Sequence, residues 1–237
     1  MALSQEYVLV QAAWVNKYDE YAAFAAHTAR SGYYVILDWQ HVAFGAQHVT
    51  QSLDDFLTAI HRVDPMEVII PDVLGDSEAT LESLNVNLPL LQADTFSDVR
   101  TMFVPQGATV EEWIRCLQKG LHAQGRRINT IGVPKLLEQW GVHRASLVHM
   151  IPKEYEVHFL GVWNGAFETA ITAGIRDRVR SWDTSLPVAA AQSNSLLSSY
   201  PNKKYQLGID MPANARQVVE NTSFLWDLLA GRSPQPS

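Results

Sequence analysis

The stretch Val179-Arg180-Ser181-Trp182-Asp183-Thr184-Ser185-Leu186-Pro187 combines a short apolar strand, a carboxylate and a helix start. We predict the strand over Val179 to Asp183 and a proline-initiated helix over Pro187 to Leu197, because proline favours the first turn of a helix. In an α/β barrel, catalytic side chains collect at the C-terminal ends of the strands. Polar side chains follow three other apolar runs in the same way, at Asp38, Asp72 and Gln106.

Eight β-rich apolar runs alternate with amphipathic helical stretches along the chain. The runs cover residues 7–10, 33–37, 67–70, 101–104, 128–132, 157–160, 178–182 and 205–209. The helical stretches include residues 19–29, 52–62, 76–84, 109–122 and 213–229. Near-continuous apolar strands are typical of parallel sheets, which are buried on both faces.

This alternation predicts an α/β fold, a (β/α)8 TIM barrel that forms a single domain over residues 1–230. A flexible C-terminal tail is expected over residues 231–237. A doubly wound open sheet is the alternative. The first strand is not followed by a Gly-x-Gly-x-x-Gly motif, which argues against a dinucleotide-binding fold.

The composition of the 237-residue chain is that of an ordinary globular protein, with 47% hydrophobic residues. No apolar run has the length of a membrane span, and the N-terminus lacks the pattern of a signal peptide. We therefore expect a cytoplasmic protein with no membrane association. Cys116, the only cysteine, is expected to pack on a buried helix face, so a cysteine zinc site is excluded.

The net charge of −7 lowers the expectation of nucleic-acid binding, which needs a local surplus of basic residues. Three basic clusters precede predicted strands and should lie on the face opposite the strand C-termini: Arg126-Arg127, Arg176 with Arg178 and Arg180, and Lys203-Lys204. On the face of the strand C-termini we expect Lys135, Arg144 and Lys153, and Lys135 is the best candidate for a phosphate contact.

Three strand-end carboxylates, Asp38, Asp72 and Asp183, could support acid–base and covalent chemistry at an anomeric carbon. They could also bind a divalent metal, but no histidine stands at a ligand-like spacing, and we predict no metal. A single strand-end aspartate can instead cap the next helix, and Asp76 fits that role best.

Gln106 offers both a donor and an acceptor, which suits recognition of the edge of a heterocycle. The neighbouring Gly107, together with Gly132 at the end of the fifth apolar run, would let the backbone approach a flat ligand closely.

The order of these strand-end motifs resembles a known family. The motifs are Leu37-Asp38, Pro71-Asp72, Val104-Pro105-Gln106-Gly107, Thr130-Ile131-Gly132-Val133, His158-Phe159-Leu160-Gly161-Val162 and Trp182-Asp183-Thr184-Ser185-Leu186-Pro187. As an ordered set they resemble the catalytic barrel of the tRNA-guanine transglycosylase superfamily, whose tRNA members include the queuine tRNA-ribosyltransferases. The likeness is greatest to the small phage and bacterial members that insert 7-deazaguanines into DNA.

The resemblance implies a role for each matching residue. Asp183 takes the position of the nucleophile that attacks the ribose C1′, and Asp38 takes that of the general acid/base. Asp72 and Gln106 would read the guanine edge. The backbone of Gly132 and the surface of Leu160-Gly161 would complete the base pocket. The implied reaction needs no cofactor.

Two departures from the family pattern bear on the substrate. After Asp38 the tRNA enzymes have a Ser-Gly-Gly-aromatic turn, whereas this chain continues as Trp39-Gln40-His41-Val42-Ala43-Phe44-Gly45. Either Trp39 or Phe44 could therefore stack on the base. The cysteine-rich zinc subdomain that helps to hold tRNA is missing, which makes DNA a better candidate substrate than tRNA.

Three hypotheses follow. The first is exchange of guanine in nucleic acid for a 7-deazaguanine base through a covalent aspartyl intermediate. The second is a nucleosidase or small-molecule ribosyltransferase with the same carboxylates, which the acidic composition favours. The third is a non-catalytic barrel that serves as a partner subunit. A homodimer or a complex with another subunit is compatible with all three.

Overall fold

The computed structural model describes residues 7–39, 52–93, 96, 98–161, 171–184, 186–199 and 213–229. These ranges contain seven strands: β1 (Tyr7–Gln11), β2 (Tyr34–Asp38), β3 (Glu67–Ile69), β4 (Arg100–Phe103), β5 (Thr130–Pro134), β6 (Glu156–Leu160) and β7 (Ser181–Trp182). Their principal helices are α1 (Ala12–Lys17), α2 (Asp19–Arg30), α3 (Leu53–Val63), α4 (Ser77–Leu91), α5 (Val110–Gln124), α6 (Arg144–Leu147), α7 (Leu186–Gln192) and α8 (Ala215–Leu229).

The strands follow one another across the sheet in chain order, from β1 to β7. The pairs β1–β2, β2–β3, β3–β4, β4–β5 and β6–β7 are all parallel. A doubly wound sheet reverses its strand order near the middle, and this sheet does not. Parallel strands in sequential order with alternating helices are the features of the TIM-barrel class. The predicted fold class is therefore confirmed.

Most predicted element boundaries agree with the structure to within a few residues. The largest differences are in α4, which continues past Leu84 to Leu91 with Pro89 inside it, and in α7, which ends at Gln192 instead of Leu197. Strand β7 is limited to Ser181–Trp182. The predicted strand over residues 205–209 and the tail over residues 231–237 lie outside the described residues. No helix among the described residues is long and apolar enough to cross a membrane.

Helix α3 shows how the local sequence specifies an element. The Ser52 hydroxyl accepts a hydrogen bond from the backbone N–H of Asp55, and the Asp55 carboxylate accepts one from the backbone N–H of Ser52. This capping box satisfies two donors that the first turn would otherwise leave unpaired. The Ser52 hydroxyl also donates to the Asp55 carboxylate at 2.8 Å, and this hydrogen bond, with the one from the Ser52 N–H, lowers the pKa of Asp55. The helix ends where Asp64 adopts a left-handed conformation (φ 55°) before Pro65. Its buried face consists of Phe56, Ala59, Ile60 and Val63.

The chain divides into two compact units, residues 1–132 and 133–237. In the first unit, helices α3, α4 and α5 bury their apolar faces, and strands β2 to β4 supply fully buried side chains. Asp76 is the N-cap of α4 and accepts a hydrogen bond from the backbone N–H of Ala79 at 3.0 Å. The cap predicted for Asp76 is therefore confirmed.

In the second unit, a buried amide joins α8 to α7 and the turn that follows α7. Asn221 of α8 is 1% exposed. Its side-chain oxygen accepts a hydrogen bond from the backbone N–H of Leu197 at 2.7 Å, and its nitrogen donates to the carbonyls of Pro187 and Ser195, each at 3.2 Å. Asn221 thus satisfies three backbone groups beside an apolar cluster of Ala190, Leu197 and Leu225.

We expect Asn221→Ala to lower the free energy of unfolding by about 2 to 4 kcal/mol, because one N–H and two carbonyls lose their partner in a buried environment. Urea unfolding followed by circular dichroism measures the change. Ser223→Ala, which alters an exposed position on the same helix, is the matched control and should leave the midpoint nearly unchanged. Equal midpoints for the two variants would show that the Asn221 hydrogen bonds do not stabilise the unit.

Candidate active site

In the first unit, Asp72 and Gln106 lie at the C-terminal ends of neighbouring strands, and their side chains are hydrogen-bonded. Gln106 is 2% exposed, and its Nε2 donates to Oδ2 of Asp72 at 2.5 Å. Its Oε1 accepts a hydrogen bond from the backbone N–H of Gly75 at 3.3 Å. The two contacts fix the orientation of the amide, with the nitrogen towards Asp72. Gln106 therefore orients the carboxyl group for which the resemblance implies a role in base recognition.

The environment of Asp72 changes its proton affinity. Burial raises its pKa from 3.8 to about 7, although the hydrogen bond from Gln106 and one from the backbone of Asp72 itself act in the opposite direction. Near neutral pH the protonated and ionised forms are therefore both populated. A carboxyl group in this state can donate a hydrogen bond to a ligand or accept one from it.

Gly107 is buried where the chain passes the first turn of α5. A Cβ atom at this position would lie 2.6 Å from the backbone nitrogen of Trp113 and 2.7 Å from Cβ of Glu112. Because backbone cannot move aside as a flexible side chain can, only glycine fits here. The need for glycine at residue 107 is thus explained by packing against α5, on which Cys116 is also buried as predicted.

Asp38 ends β2 and is aligned with Gln11 at the end of β1. The backbone N–H of Gln11 donates to the hydroxyl oxygen of Tyr21 at 3.3 Å. Burial raises the pKa of Tyr21, and the negative charge of Asp38 adds to this effect. The carboxylate of Asp38 and the phenol of Tyr21 therefore both lie where the paired strands β1 and β2 end.

The aromatic residue that follows Asp38 packs against α3. The ring of Trp39 meets that of Phe56 edge-on, with centroids 5.0 Å apart and an interplanar angle of 82°. Phe44, the other candidate for base stacking, lies outside the described residues. Trp39 thus has one ring edge anchored in the core of the first unit.

In the second unit, Asp183 directly follows β7 and its carboxylate is held by β6. Its Oδ1 accepts a hydrogen bond from the backbone N–H of Gly161 at 2.9 Å and lies 3.2 Å from Nε2 of His158. The Asp183 side chain is 29% exposed, whereas that of His158 is 1% exposed. One side of the carboxylate is thus fixed by buried nitrogens while part of the group remains accessible.

The side chain of Lys135 also lies against Gly161. The φ angle of Gly161 is +64°, in the left-handed region that favours glycine. A Cβ atom there would lie 3.2 Å from Cδ of Lys135, so the lysine side chain passes directly over the glycine. The predicted residues Lys135, Gly161 and Asp183 are therefore neighbours in the second unit.

Arg144 lies at the C-terminal ends of β5 and β6, the face on which it was predicted. It is fully buried, and its guanidinium group donates to the carbonyls of Val133, Leu160 and Gly161 at 3.0, 2.6 and 2.6 Å. It also lies over the ring of Phe159, with Cζ 4.8 Å from the centroid. Because its donors face backbone oxygens, Arg144 fixes the strand ends that carry Gly161 and cannot serve as a phosphate ligand.

The bounds of β6 and β5 show where two other residues of the prediction lie, Lys153 and Gly132. Lys153 is exposed in the turn that leads into β6, at the N-terminal end of this strand, so its predicted location beside the strand C-termini is wrong. Gly132 lies buried inside β5. Among the described residues, no group of three or more His, Cys, Asp or Glu side chains is arranged to hold a metal ion.

Sequence reasoning identified Asp183 but not the side chains that hold it. His158 is aligned with Ser181 in the parallel β6–β7 pair, and its Nδ1 lies 2.7 Å from the Ser181 hydroxyl. Side chains two residues apart on a strand point to the same face, so Asp183 shares the face of Ser181. The register of β6 and β7 brings His158 next to Asp183, and this register cannot be read from a single sequence.

Replacing Asp72 tests its raised pKa. A native pKa of about 7 against 3.8 in the unfolded chain means that the native state retains the proton longer, so ionisation destabilises it as pH rises between those values. An asparagine cannot ionise, so Asp72→Asn does not lose stability in this way. The free energy of unfolding of the variant, relative to that of the wild type, should therefore increase by on the order of 2 kcal/mol between pH 5 and pH 8.

Urea midpoints at four pH values measure this difference. Glu82→Gln, which removes an exposed carboxylate from α4, corrects for the change in net charge. A constant difference between Asp72→Asn and the wild type across the pH range would contradict the raised pKa.

Arg144→Met is expected to lower the free energy of unfolding by about 3 kcal/mol, because three buried carbonyls lose their donor. Thermal unfolding measures the effect, with Arg176→Met at an exposed position as the control. If the two variants unfold at the same temperature, Arg144 does not hold the strand ends.

Neither protein-family models nor curated proteins give a match to this chain. The likeness to the transglycosylase superfamily accordingly consists of the ordered motifs themselves.

Proposed function

We propose that the chain is a guanine transglycosylase that exchanges guanine in nucleic acid, DNA in preference to tRNA, for a 7-deazaguanine base. The observation that carries the proposal is the Asp183 carboxylate, which two nitrogens hold through one oxygen at the end of β7. A fixed, partly exposed carboxylate is suited to nucleophilic attack on a sugar, and Lys135, which lies against the same Gly161, is the candidate phosphate contact.

The proposed reaction is a double displacement. A carboxylate oxygen of Asp183 forms a bond to C1′, the C1′–N9 bond breaks, and its electron pair leaves with the guanine, which takes a proton from a general acid, the role that the resemblance implies for Asp38. The incoming 7-deazaguanine then gives its N9 proton to the same group. Its nitrogen attacks C1′, and the ester bond to Asp183 breaks. Two inversions retain the configuration of the sugar, as in retaining glycosidases.

The Asp72–Gln106 pair supports the assignment of a purine base. Guanine offers two adjacent donors, N1–H and the exocyclic amine, and a carboxylate accepts from both. Gln106 holds Asp72 in one orientation and retains a second N–H on Nε2. Since the pKa of Asp72 is about 7, we expect its acceptor form to be favoured on the alkaline side of neutrality.

The preference for DNA over tRNA rests on the resemblance. With Cys116 as the only cysteine, the chain lacks the zinc subdomain with which the related enzymes hold tRNA. In duplex DNA the target nucleotide would have to leave the base stack to reach Asp183.

A second candidate, a nucleosidase or small-molecule ribosyltransferase, is favoured by the charge distribution. The net charge is −7. Of the three basic residues predicted beside the strand C-termini, Arg144 is occupied by backbone carbonyls and Lys153 lies at the other end of β6. A free nucleoside needs fewer phosphate contacts than a polymer does.

The test is incubation with DNA or tRNA that carries labelled guanine, or with labelled guanosine and deoxyguanosine, each with and without 7-deazaguanine bases. Label release from DNA that requires a 7-deazaguanine is the expected result. Release from free nucleosides alone would support the second candidate, and no release from any substrate would exclude glycosyl transfer.

Asp183→Asn should reduce release by at least about 1,000-fold and abolish a denaturation-stable adduct between protein and DNA, because the amide cannot form the ester. Asp177→Asn, at an exposed position in the same unit, is the matched control and should react like the wild type. Full activity of Asp183→Asn would contradict the nucleophile assignment.

A further inference from the structure

We infer that His158 is a positioning residue that holds Oδ1 of Asp183 and thereby makes Oδ2 the attacking oxygen. The choice of oxygen rests on the proposed function, whereas the holding contact rests on the geometry of the second unit alone. His158 belongs to no motif role carried over from the resemblance. Its position inside β6 would otherwise give it only a packing function.

Within the described part of the chain, the two hydrogen bonds to the Asp183 carboxylate end on the same oxygen. The Gly161 N–H and Nε2 of His158 lie 2.9 and 3.2 Å from Oδ1. His158 lies in β6 and Gly161 directly follows this strand, so β6 fixes both nitrogens together. Two contacts on one oxygen stop rotation of the carboxylate about its Cβ–Cγ bond, which leaves Oδ2 in a defined direction.

A chain of hydrogen bonds sets the proton on His158. Arg180 can only donate, and its Nε lies 3.1 Å from the Ser181 hydroxyl oxygen, which therefore accepts. A carboxylate can only accept, so Nε2 of His158, which lies 3.2 Å from Oδ1 of Asp183, carries a proton. In the neutral ring Nδ1 is then an acceptor, and the Ser181 hydroxyl at 2.7 Å donates to it.

The outer end of this chain is fixed as well. Nη1 of Arg180 donates to the Glu156 carboxylate at 2.8 Å, and the Arg180 side chain is only 11% exposed. An arginine held by an ion pair presents its Nε in a constant direction. The Ser181 hydroxyl that faces Nδ1 of His158 is therefore held by Arg180, which is itself held by Glu156.

This arrangement fits both stages of the proposed reaction. When Oδ2 bonds to C1′, Oδ1 becomes the carbonyl oxygen of the ester and still accepts from Gly161 and His158. The two donors therefore need not move when the intermediate forms or breaks down. Donors that are already in place lower the reorganisation cost of the reaction.

The first experiment is independent of catalysis. Nitrogen-15 NMR of histidine-labelled wild-type protein reports which ring nitrogen of each of the eight histidines carries a proton. The His158 signals are assigned by their loss in His158→Gln. A protonated Nε2 on His158, with a shift that changes in Asp183→Leu, is the expected result. An unprotonated Nε2, or no response to Asp183→Leu, would overturn the holding contact.

The second experiment uses the exchange reaction. We expect His158→Leu to lower kcat by about 100-fold with little change in KM, since a misdirected nucleophile reacts slowly but the substrate still binds. His158→Gln, whose amide can donate from a similar position, should have a kcat at least about tenfold higher than that of His158→Leu. Equal losses in the two variants, or a loss confined to KM, would overturn the positioning role.

The two experiments separate the two claims. A wild-type protein without transferase activity but with a protonated Nε2 on His158 would refute the proposed function and leave the holding contact intact. An active enzyme with an unprotonated Nε2 on His158 would support the proposed function and refute the holding contact.

Discussion

The buried guanidinium of Arg144 is the interaction on which the geometry of the second unit depends. Its donors meet the carbonyls of Val133, Leu160 and Gly161, where β5 and β6 end. Strand ends are where a regular ladder stops, so these carbonyls need another partner if they are buried. Arg144 provides that partner with a rigid, planar group that lysine could not replace.

The effect of Arg144 reaches Asp183 through one residue. The carbonyl of Gly161 is bound by Arg144, and its N–H is bound by Asp183. Both peptide groups of Gly161 are therefore fixed, in a backbone conformation that favours glycine (φ +64°). The position of the carboxylate thus follows from the ends of β5 and β6 as well as from its own strand.

The fold could be predicted from the sequence because its signals are local. Apolar runs, N-caps such as Asp76 and the capping box of Ser52 identify strands and helices one at a time. Parallel strands in alternation with helices then restrict the fold class. The end of β7 was placed too late because Asp183 extends the ladder by one backbone hydrogen bond, to Phe159, without becoming a strand residue.

The strand-end polar residues could also be predicted, but their partners could not. Asp72 and Gln106 were each expected at a strand end, and their pairing depends on side-chain orientation that the sequence does not reveal. The burial of Arg144 could not be predicted, because arginine is rarely buried, and the three carbonyls that it binds explain the exception. His158 is buried in β6, and its contact with Asp183 depends on the register of β6 and β7.

The partners of Asp183 stand close to it along the chain. Gly161 and His158 precede it by 22 and 25 residues, and Arg144 is 17 residues from Gly161. Contacts over such distances close small loops, and they lose less chain entropy than contacts between distant segments. The geometry of this carboxylate is accordingly encoded in one continuous block of sequence. In evolution such a block can be inherited or exchanged as a unit.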